Sequence, residues 1–498
     1  MTAMYDTTNR PVGTGAFRFA LLSCLAVTVA CGDGGEPLNV LLITLDTTRP
    51  DHMGCYGYGK QTTPRIDAIA AAGARFERAI STAGITPMSH SSILTGLNNY
   101  RHGMRVFYSE EVSHRLKESV DTLPEILQRE GYQTAAMVST YVLSEIYGLD
   151  QGFETFETGL DLDGMDFTEQ NAHEGFWNEQ QTLNTQRRSD ATVGQALEWL
   201  DEHGADAPWC LWVHLFDVHD YSLVPPLEFV KAHGIQEYPR EVDGRSIEAR
   251  EMMYDPELAY MDAQVGRLVD WLEEHGQWDR TVIVVTADHG QGLKDGRARH
   301  GWPKHRLLYD WCIRVPLIMR IPGEAAGVVV PRAEQVRTID ILPTLLEVLD
   351  APTRQAIEGQ SLLGVLRGEP AGTRIAYADA LNHYDTFSPR RGLPAIAQDE
   401  NLFAVTDGRW KLIYHELRPE NHELFDLDAD PRELRNVAQD HPEQLARLET
   451  FLLERGAMEV EPPGTGGAVP DASALYSLGY GGGADGEEQD QARQDEGR

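Results

Sequence analysis

A chain of 498 residues with 41% apolar and 24% charged side chains has ordinary globular usage and room for one large α/β domain plus a smaller one. Its 43 Lys and Arg stand against 78 Asp and Glu, a formal net charge of -35. That balance argues against a nucleic-acid partner, because a phosphate backbone is gripped by clustered Lys and Arg, but it leaves room for a small charged ester in a locally positive pocket.

Arg10 and Arg18 precede an apolar run at 19–30, and Cys31 follows it, ahead of Gly32-Asp33-Gly34-Gly35. The run is too short to span a bilayer as a helix and reads as a secretory signal. Thr28-Val29-Ala30-Cys31 resembles a bacterial lipobox, so residues 1–31 are expected to be a signal peptide with lipobox, and Cys31 the lipidated first residue of the mature chain. The expected product is an exported bacterial protein, periplasmic or membrane-anchored as a lipoprotein, touching membrane only through that anchor; a plain cleaved signal peptide is the alternative. Beyond Cys31 only Cys55, Cys210 and Cys312 remain, an odd set with neither a disulfide framework nor zinc-finger spacing.

Apolar runs of strand length lie at 39–45, 134–138, 209–216, 281–286 and 315–319. Their continuous Val/Ile/Leu character predicts strands buried on both faces, hence α/β architecture with a mostly parallel central sheet flanked by helices. Helical patterns fall between them at 63–78, 123–130, 190–203 and 256–274, with a further short helix at 89–94. Asp46, Asp217 and Asp288 each follow the end of such a strand, where open α/β sheets gather functional residues. From about 386 the pattern changes to short strand-like pieces at 403–414 and 423–431 and a helix at 442–454. This predicts a catalytic domain over 37–385, a smaller α+β subdomain over 386–460, and a Gly-rich acidic tail at 461–498 with too few apolar residues to fold.

The segments NVLLITLDTTRPDHMGCYGY at 39–58, TTPRIDAIAAAGARFERA at 62–79, TPMSHSSILTG at 86–96, TADHG at 286–290 and RVPLI at 314–318 resemble the sulfatase branch of the alkaline phosphatase superfamily. The resemblance covers roughly residues 37–455. It implies an alkaline phosphatase-like fold and places Thr86 where sulfatases carry the cysteine that is oxidised to formylglycine, so no formylglycine is expected. A threonine supplies only a hydroxyl, which needs activation by metal. Near the start of a helix such a hydroxyl faces unpaired N–H groups and the positive end of the dipole, although Thr is also a common helix cap.

The same resemblance makes Asp46 a metal-binding carboxylate; the second Asp that many sulfatases have directly after it is Thr47 here. Asp288 and His289, with Asp46 and the Thr86 oxygen, then form a three-oxygen, one-nitrogen set for a divalent ion, left open between Zn, Mn, Ca and Mg. His90 stands in place of the signature arginine, and Met137-Val138-Ser139-Thr140 replaces the family's Gly-Lys-x-His stretch. His219 matches the family's histidine at the leaving-group oxygen. It is crowded by His214 and Asp217, which either orient it as an acid or, with it, hold a second metal; the acid role fits the spacing better. In the stretch 300–310, Lys304 is the candidate for the family's late active-site lysine and His305 the next, a solvated basic loop being the plain alternative; His90, Asp217 and His300 are weaker substrate-binding candidates.

The expected enzyme is a metal-dependent hydrolase in which Thr86 attacks a phosphate (di)ester or sulfate ester, phosphoesters favoured, of a small molecule or of a glycan or lipid headgroup. Two alternatives keep the chain but change its role: a phosphoryl-alcohol transferase acting on an envelope lipid or glycan, and a non-catalytic surface binding protein.

Overall fold

The computed structural model describes residues 37–160, 185–205, 208–219, 223–238, 247–301, 305–385, 400–463 and 469–470. Cys31, the signal segment 1–31, Lys304 and most of the tail at 461–498 lie outside the described residues.

The main sheet is built from β1 (Asn39–Leu45), β2 (Ala74–Ile80), β3 (Gln133–Met137), β4 (Thr155–Glu157), β5 (Trp209–Leu215), β6 (Thr281–Thr286), β7 (Arg314–Arg320), β8 (Val328–Val330) and β9 (Val336–Arg337). Its order is β4-β3-β5-β1-β6-β7-β2-β8, with β9 beside β2. Pairing is parallel from β4 through β6, and β7 runs antiparallel to both β6 and β2. The expected mixed α/β, mostly parallel sheet is therefore present.

Continuous apolar strands follow from burial on both faces. Along β1, Val40 and Leu42 enter one hydrophobic cluster while Leu41, Ile43 and Leu45 enter another; β5 and β6 divide in the same way. The helices Ser189–His203 and Ile247–Glu274 cover the second face, contributing Val193, Ala196 and Leu200, and Leu258, Val265 and Leu268. On the first face sit Ile93 and Leu94 of the helix Thr86–Thr95, Ile126 and Leu127 of Leu123–Arg129, and Leu342 and Leu345 of Ile341–Val348.

A second, antiparallel sheet runs β10 (Ala376–Leu381), β11 (Asn401–Thr406), β12 (Trp410–His415), β13 (Glu423–Asp426), and the helix Pro442–Glu454 buries Leu448 and Leu452 with its Phe403, Val405 and Leu412. Its first strand thus begins before position 386. A parallel bridge between Ala83 and Asp379 ties β10 to the segment that leads into Thr86. Among the described residues no helix is long and apolar enough to cross a membrane.

Two expectations are corrected. The helix expected over 63–78 ends at Ala72, and Ala74–Ile80 is strand β2. Gly73 fits the junction because a Cβ there would lie 2.4 Å from the Met319 carbonyl of β7. The helix expected at 89–94 spans Thr86–Thr95, so Thr86 is its first residue rather than a residue ahead of it.

Candidate metal and nucleophile site

The site forms where β1 and β6 end side by side. Asp46 follows β1 and Asp288 follows β6 by two residues; their strands pair from Asn39 with Thr281 to Thr44 with Thr286. The helix Thr86–Thr95 points its first residue at the same place, so the Thr86 hydroxyl donates to Asp46 Oδ2 at 3.3 Å and lies 3.3 Å from His289 Nε2. Thr86, Asp46, Asp288 and His289 are all completely buried.

Short-range backbone features hold the carboxylates. Thr47 adopts φ 48°, in the left-handed region where a β-branched residue is strained. That turn aims its N–H at Asp288 Oδ1, 3.1 Å away, while its carbonyl accepts from the Tyr254 hydroxyl at 2.8 Å. Asp288 Oδ1 also accepts the His289 N–H at 2.7 Å. Gly290 permits the close approach that follows, since a Cβ there would stand 2.3 Å from the Trp311 carbonyl oxygen.

Histidine tautomers can be read from fixed partners. His289 Nδ1 lies 2.9 Å from the Gly290 carbonyl, which can only accept, so Nδ1 donates there and Nε2 faces Thr86 and Asp288 Oδ2, each 3.3 Å away. His214 receives the Ser139 N–H at Nδ1 and gives its Nε2 proton to Asp46 Oδ2, 3.2 Å away. His90 gives its Nδ1 proton to the Thr86 carbonyl at 2.8 Å, and its Nε2 accepts from Thr44, whose hydroxyl in turn accepts from the Trp212 indole. Burial first, and then neighbouring His90, hold the His214 imidazole well below its ordinary range; burial likewise lowers His90. Both rings are neutral supports.

One oxygen of each carboxylate is left over. Asp46 Oδ1 and Asp288 Oδ2 are buried without a hydrogen-bond partner. Burial, and then the charge of Asp288, push the Asp46 carboxyl well above the usual range. Two crowded carboxylates with an unused oxygen each, beside the Nε2 of a histidine, are short of positive charge, and these donor atoms fit a divalent cation. Asp46, Asp288 and His289 would hold it, with the Thr86 oxygen alongside.

Of the other residues singled out in the sequence, His305 comes close: its ring centroid lies 5.1 Å from that of His289 and 5.5 Å from that of His219. His219 stacks on Phe216 at 4.2 Å. Asp217 turns away, accepting the Ser189 N–H and hydroxyl at the start of the helix Ser189–His203, and burial pushes its carboxyl up to about 7. His300 is drawn elsewhere, with Nε2 on the Glu433 carbonyl, Nδ1 accepting from Trp311 and its ring stacked on Tyr309. The supports Thr44, Ser139 and Trp212 carried no sequence signal, since each is an ordinary residue in or just beyond an apolar strand.

A family profile described as Sulfatase matches residues 38–351, and one described as N-sulphoglucosamine sulphohydrolase, C-terminal, matches residues 298–455. The chain is 24% identical over 484 residues to an N-acetylglucosamine-6-O-sulfatase of Bacteroides thetaiotaomicron, covering 80% of this chain and 82% of that one. It is 31% identical over 218 residues to the multifunctional alkaline phosphatase superfamily protein PehA of Trinickia caryophylli, covering 42% and 40%. The crystal structure of the phosphonate monoester hydrolase of Agrobacterium radiobacter superimposes with a TM-score of 0.62 at 22% identity, over 84% of this chain and 96% of that one. With the profile spanning most of the chain and the fold shared, the protein belongs to the sulfatase family of ester hydrolases.

Proposed function

We propose that this chain is a metal-dependent hydrolase of phosphate esters, diesters included, in which the Thr86 hydroxyl is the nucleophile and sulfate esters are poorer substrates. The observation that carries this reading is the placement of the Thr86 oxygen, 3.3 Å from both Asp46 Oδ2 and His289 Nε2 at the first residue of a buried helix. A bound divalent ion would lower the pKa of that hydroxyl and neutralise charge on the transferred group. Thr86 Oγ1, its proton passing to Asp46 Oδ2, forms the new bond to phosphorus as the bond to the leaving alcohol breaks, and His219, with His305 beside it, gives a proton to the leaving oxygen. The positive end of the helix Thr86–Thr95 favours the growing negative charge. Lys304, through its place in the sequence, is assigned to the same transferred group. The exported, lipid-anchored form follows from Cys31 in its lipobox-like setting.

The preference for phosphorus rests on the covalent intermediate. A formylglycine hydrate can expel sulfate through its second hydroxyl, without attack at sulfur. Thr86 has no second hydroxyl, so a sulfated threonine must be opened by direct attack at sulfur, whereas a phosphorylated one is opened in line by water deprotonated at His219. Metal-loaded protein starting after Cys31, offered nitrophenyl phosphate monoester, phosphodiester, phosphonate and sulfate, is expected to turn over a phosphoester fastest. Thr86→Ser should keep part of that activity and Thr86→Ala almost none. Sulfate hydrolysis outpacing every phosphoester, or full activity in Thr86→Ala, would overturn the reading.

A further inference from the structure

Arg306 follows His305 directly and buries its guanidinium, with 1% of the residue exposed. Nη1 donates to Asp385 Oδ2 at 2.9 Å, and the group lies 5.4 Å over the Phe107 ring. Nε and Nη2 are buried without a hydrogen-bond partner. These unused donors belong to one edge. Nε–H and one Nη2–H run parallel there, forming the fork that meets the two oxygens of a carboxylate, and Asp385 on the far nitrogen aims that edge. Burying charged donors without an acceptor is costly, and few structural arginines leave a whole edge bare.

The backbone adds a second sign. Arg306 sits at φ 79°, in the left-handed region that favours glycine, so a large side chain is held there at a cost in strain. Around it other polar groups also lack partners: the Tyr147 hydroxyl, whose ring packs 6.2 Å from Phe107, and both side-chain atoms of the fully buried Asn382. Burial, then Tyr141 and the Asp385 carboxylate, push the Tyr147 hydroxyl well above its ordinary range, which places Tyr147 near the same carboxylate. Asn382 directly follows β10, whose bridge from Asp379 to Ala83 brings it alongside the approach to Thr86. The Arg306 N–H also borders that approach, since its nitrogen lies 3.3 Å from where a Cβ on Gly84 would be.

We propose that Arg306, with Asn382 and Tyr147, forms a subsite for a carboxylate on the alcohol portion of the substrate. Preferred esters are then those whose leaving group carries its own carboxylate, as an acidic sugar or a carboxylated phenol does. The subsite rests on the reading that this centre cleaves esters, but its geometry is separate from the metal triad. The scissile group is assigned to Thr86, His219 and His305, whereas the bare edge of Arg306 offers two parallel donors that match the two oxygens of a carboxylate.

The test uses two nitrophenyl phosphates, one with a ring carboxylate and one with that carboxylate as its methyl ester. Wild-type enzyme is expected to favour the carboxylate in kcat/KM by about tenfold to a hundredfold, the worth of a charge-assisted hydrogen-bond pair. Arg306→Met should bring that ratio close to one, and Arg306→Lys should restore it in part, because a lysine keeps the charge and loses the fork. Equal turnover of the two esters by wild type, or an unchanged ratio in a folded Arg306→Met, overturns the subsite. If neither ester is cleaved, calorimetry with free hydroxynitrobenzoate decides the subsite separately from the hydrolase reading. Binding stronger than that of its methyl ester supports the subsite; indifferent or absent binding overturns it.

Discussion

Among the clusters of buried charge in the described residues, two are built on opposite terms. Where the main sheet meets the small one, Arg78, Asp310, Lys411 and Glu433 are almost entirely out of solvent. Asp310 binds Arg78 at 2.6 Å and Lys411 at 3.0 Å, while Glu433 binds Lys411 at 2.6 Å and the Asp310 N–H at 2.6 Å. Arg78 and Lys411 stand against Asp310 and Glu433; although burial pulls the Asp310 carboxyl upward, Arg78 and Lys411 outweigh it and hold it far below its usual range, while burial pushes the Glu433 carboxyl up to about 7. At the ends of β1 and β6, two carboxylates meet histidines, each carboxylate keeps an oxygen without a partner, and no Lys or Arg among the described residues pairs with either. Burial alone therefore does not mark a functional centre. What distinguishes the second cluster is an unfilled demand for positive charge.

The sharpest way to break that contrast is to remove one carboxylate from the unbalanced cluster. Asp288→Ala is expected to lower kcat/KM by at least about 10²-fold, the scale of losing a principal electrostatic stabiliser. The metal-free variant should stay folded, because the like-charge contact it loses offsets part of the cost of stranding the Thr47 and His289 N–H groups that Asp288 Oδ1 accepts. Added divalent metal should raise the wild-type Tm, by linkage of about 2.7 kcal/mol at a hundredfold excess over Kd, and should leave the variant unmoved. Metal-independent turnover, or an equal metal-induced shift in both proteins, would show that the two clusters do not differ in this way.

The balanced cluster should answer in stability. Lys411→Met leaves Glu433 without its cation and Asp310 with Arg78 and, at 3.9 Å, Arg332, and breaking a buried pair by removing one partner costs about 3–5 kcal/mol. Urea unfolding followed by circular dichroism measures that loss, and the folded fraction should keep its response to metal. A loss below about 1 kcal/mol would mean that the cluster is more hydrated than its geometry states.

The contrast also explains what could be read in the sequence. Strands β1, β5 and β6 were legible because burial on both faces writes an unbroken apolar run, and Asp46 and Asp288 stand out as the polar residues that follow such runs. Strand β2 was not legible. Arg75, Glu77 and Arg78 break its apolar pattern, and Arg78 is buried there only because Asp310 waits 232 positions away. Propensity favoured continuing the alanine-rich helix, and a distant ion pair together with the close approach at Gly73 overrode it. Arg306 escaped notice for a similar reason: its partners Phe107 and Asp385 come from segments far apart, and Asp385 lies just before the expected subdomain boundary. Asp217 is the reverse case, since its place after a strand suggests chemistry while its hydrogen bonds tie it to a helix start.

Asp255 lies between the two extremes and offers the finest test. Within the helix Ile247–Glu274 its Oδ1 meets His52 at 2.8 Å, and its Oδ2 accepts from Tyr58 at 2.7 Å and Lys60 at 2.6 Å, so a single carboxylate has more partners than charge balance requires. Burial raises its pKa, but the bonds from His52, Lys60 and Tyr58 outweigh it and bring the value down to about 2. An unfolded aspartate titrates near 4. Below that value the unfolded chain takes up a proton that the folded chain still refuses, so the carboxylate's contribution is complete above about pH 4 and drains away as pH falls toward 2. Asp255→Asn is expected to lower stability by about 1–2 kcal/mol at neutral pH, with the exposed Lys60 arm discounted for screening. The difference from wild type should close as the solution is acidified through that window. Urea midpoints for both proteins at neutral pH and across the acid range measure it. A gap that stays constant with pH would assign the loss to packing rather than to charge.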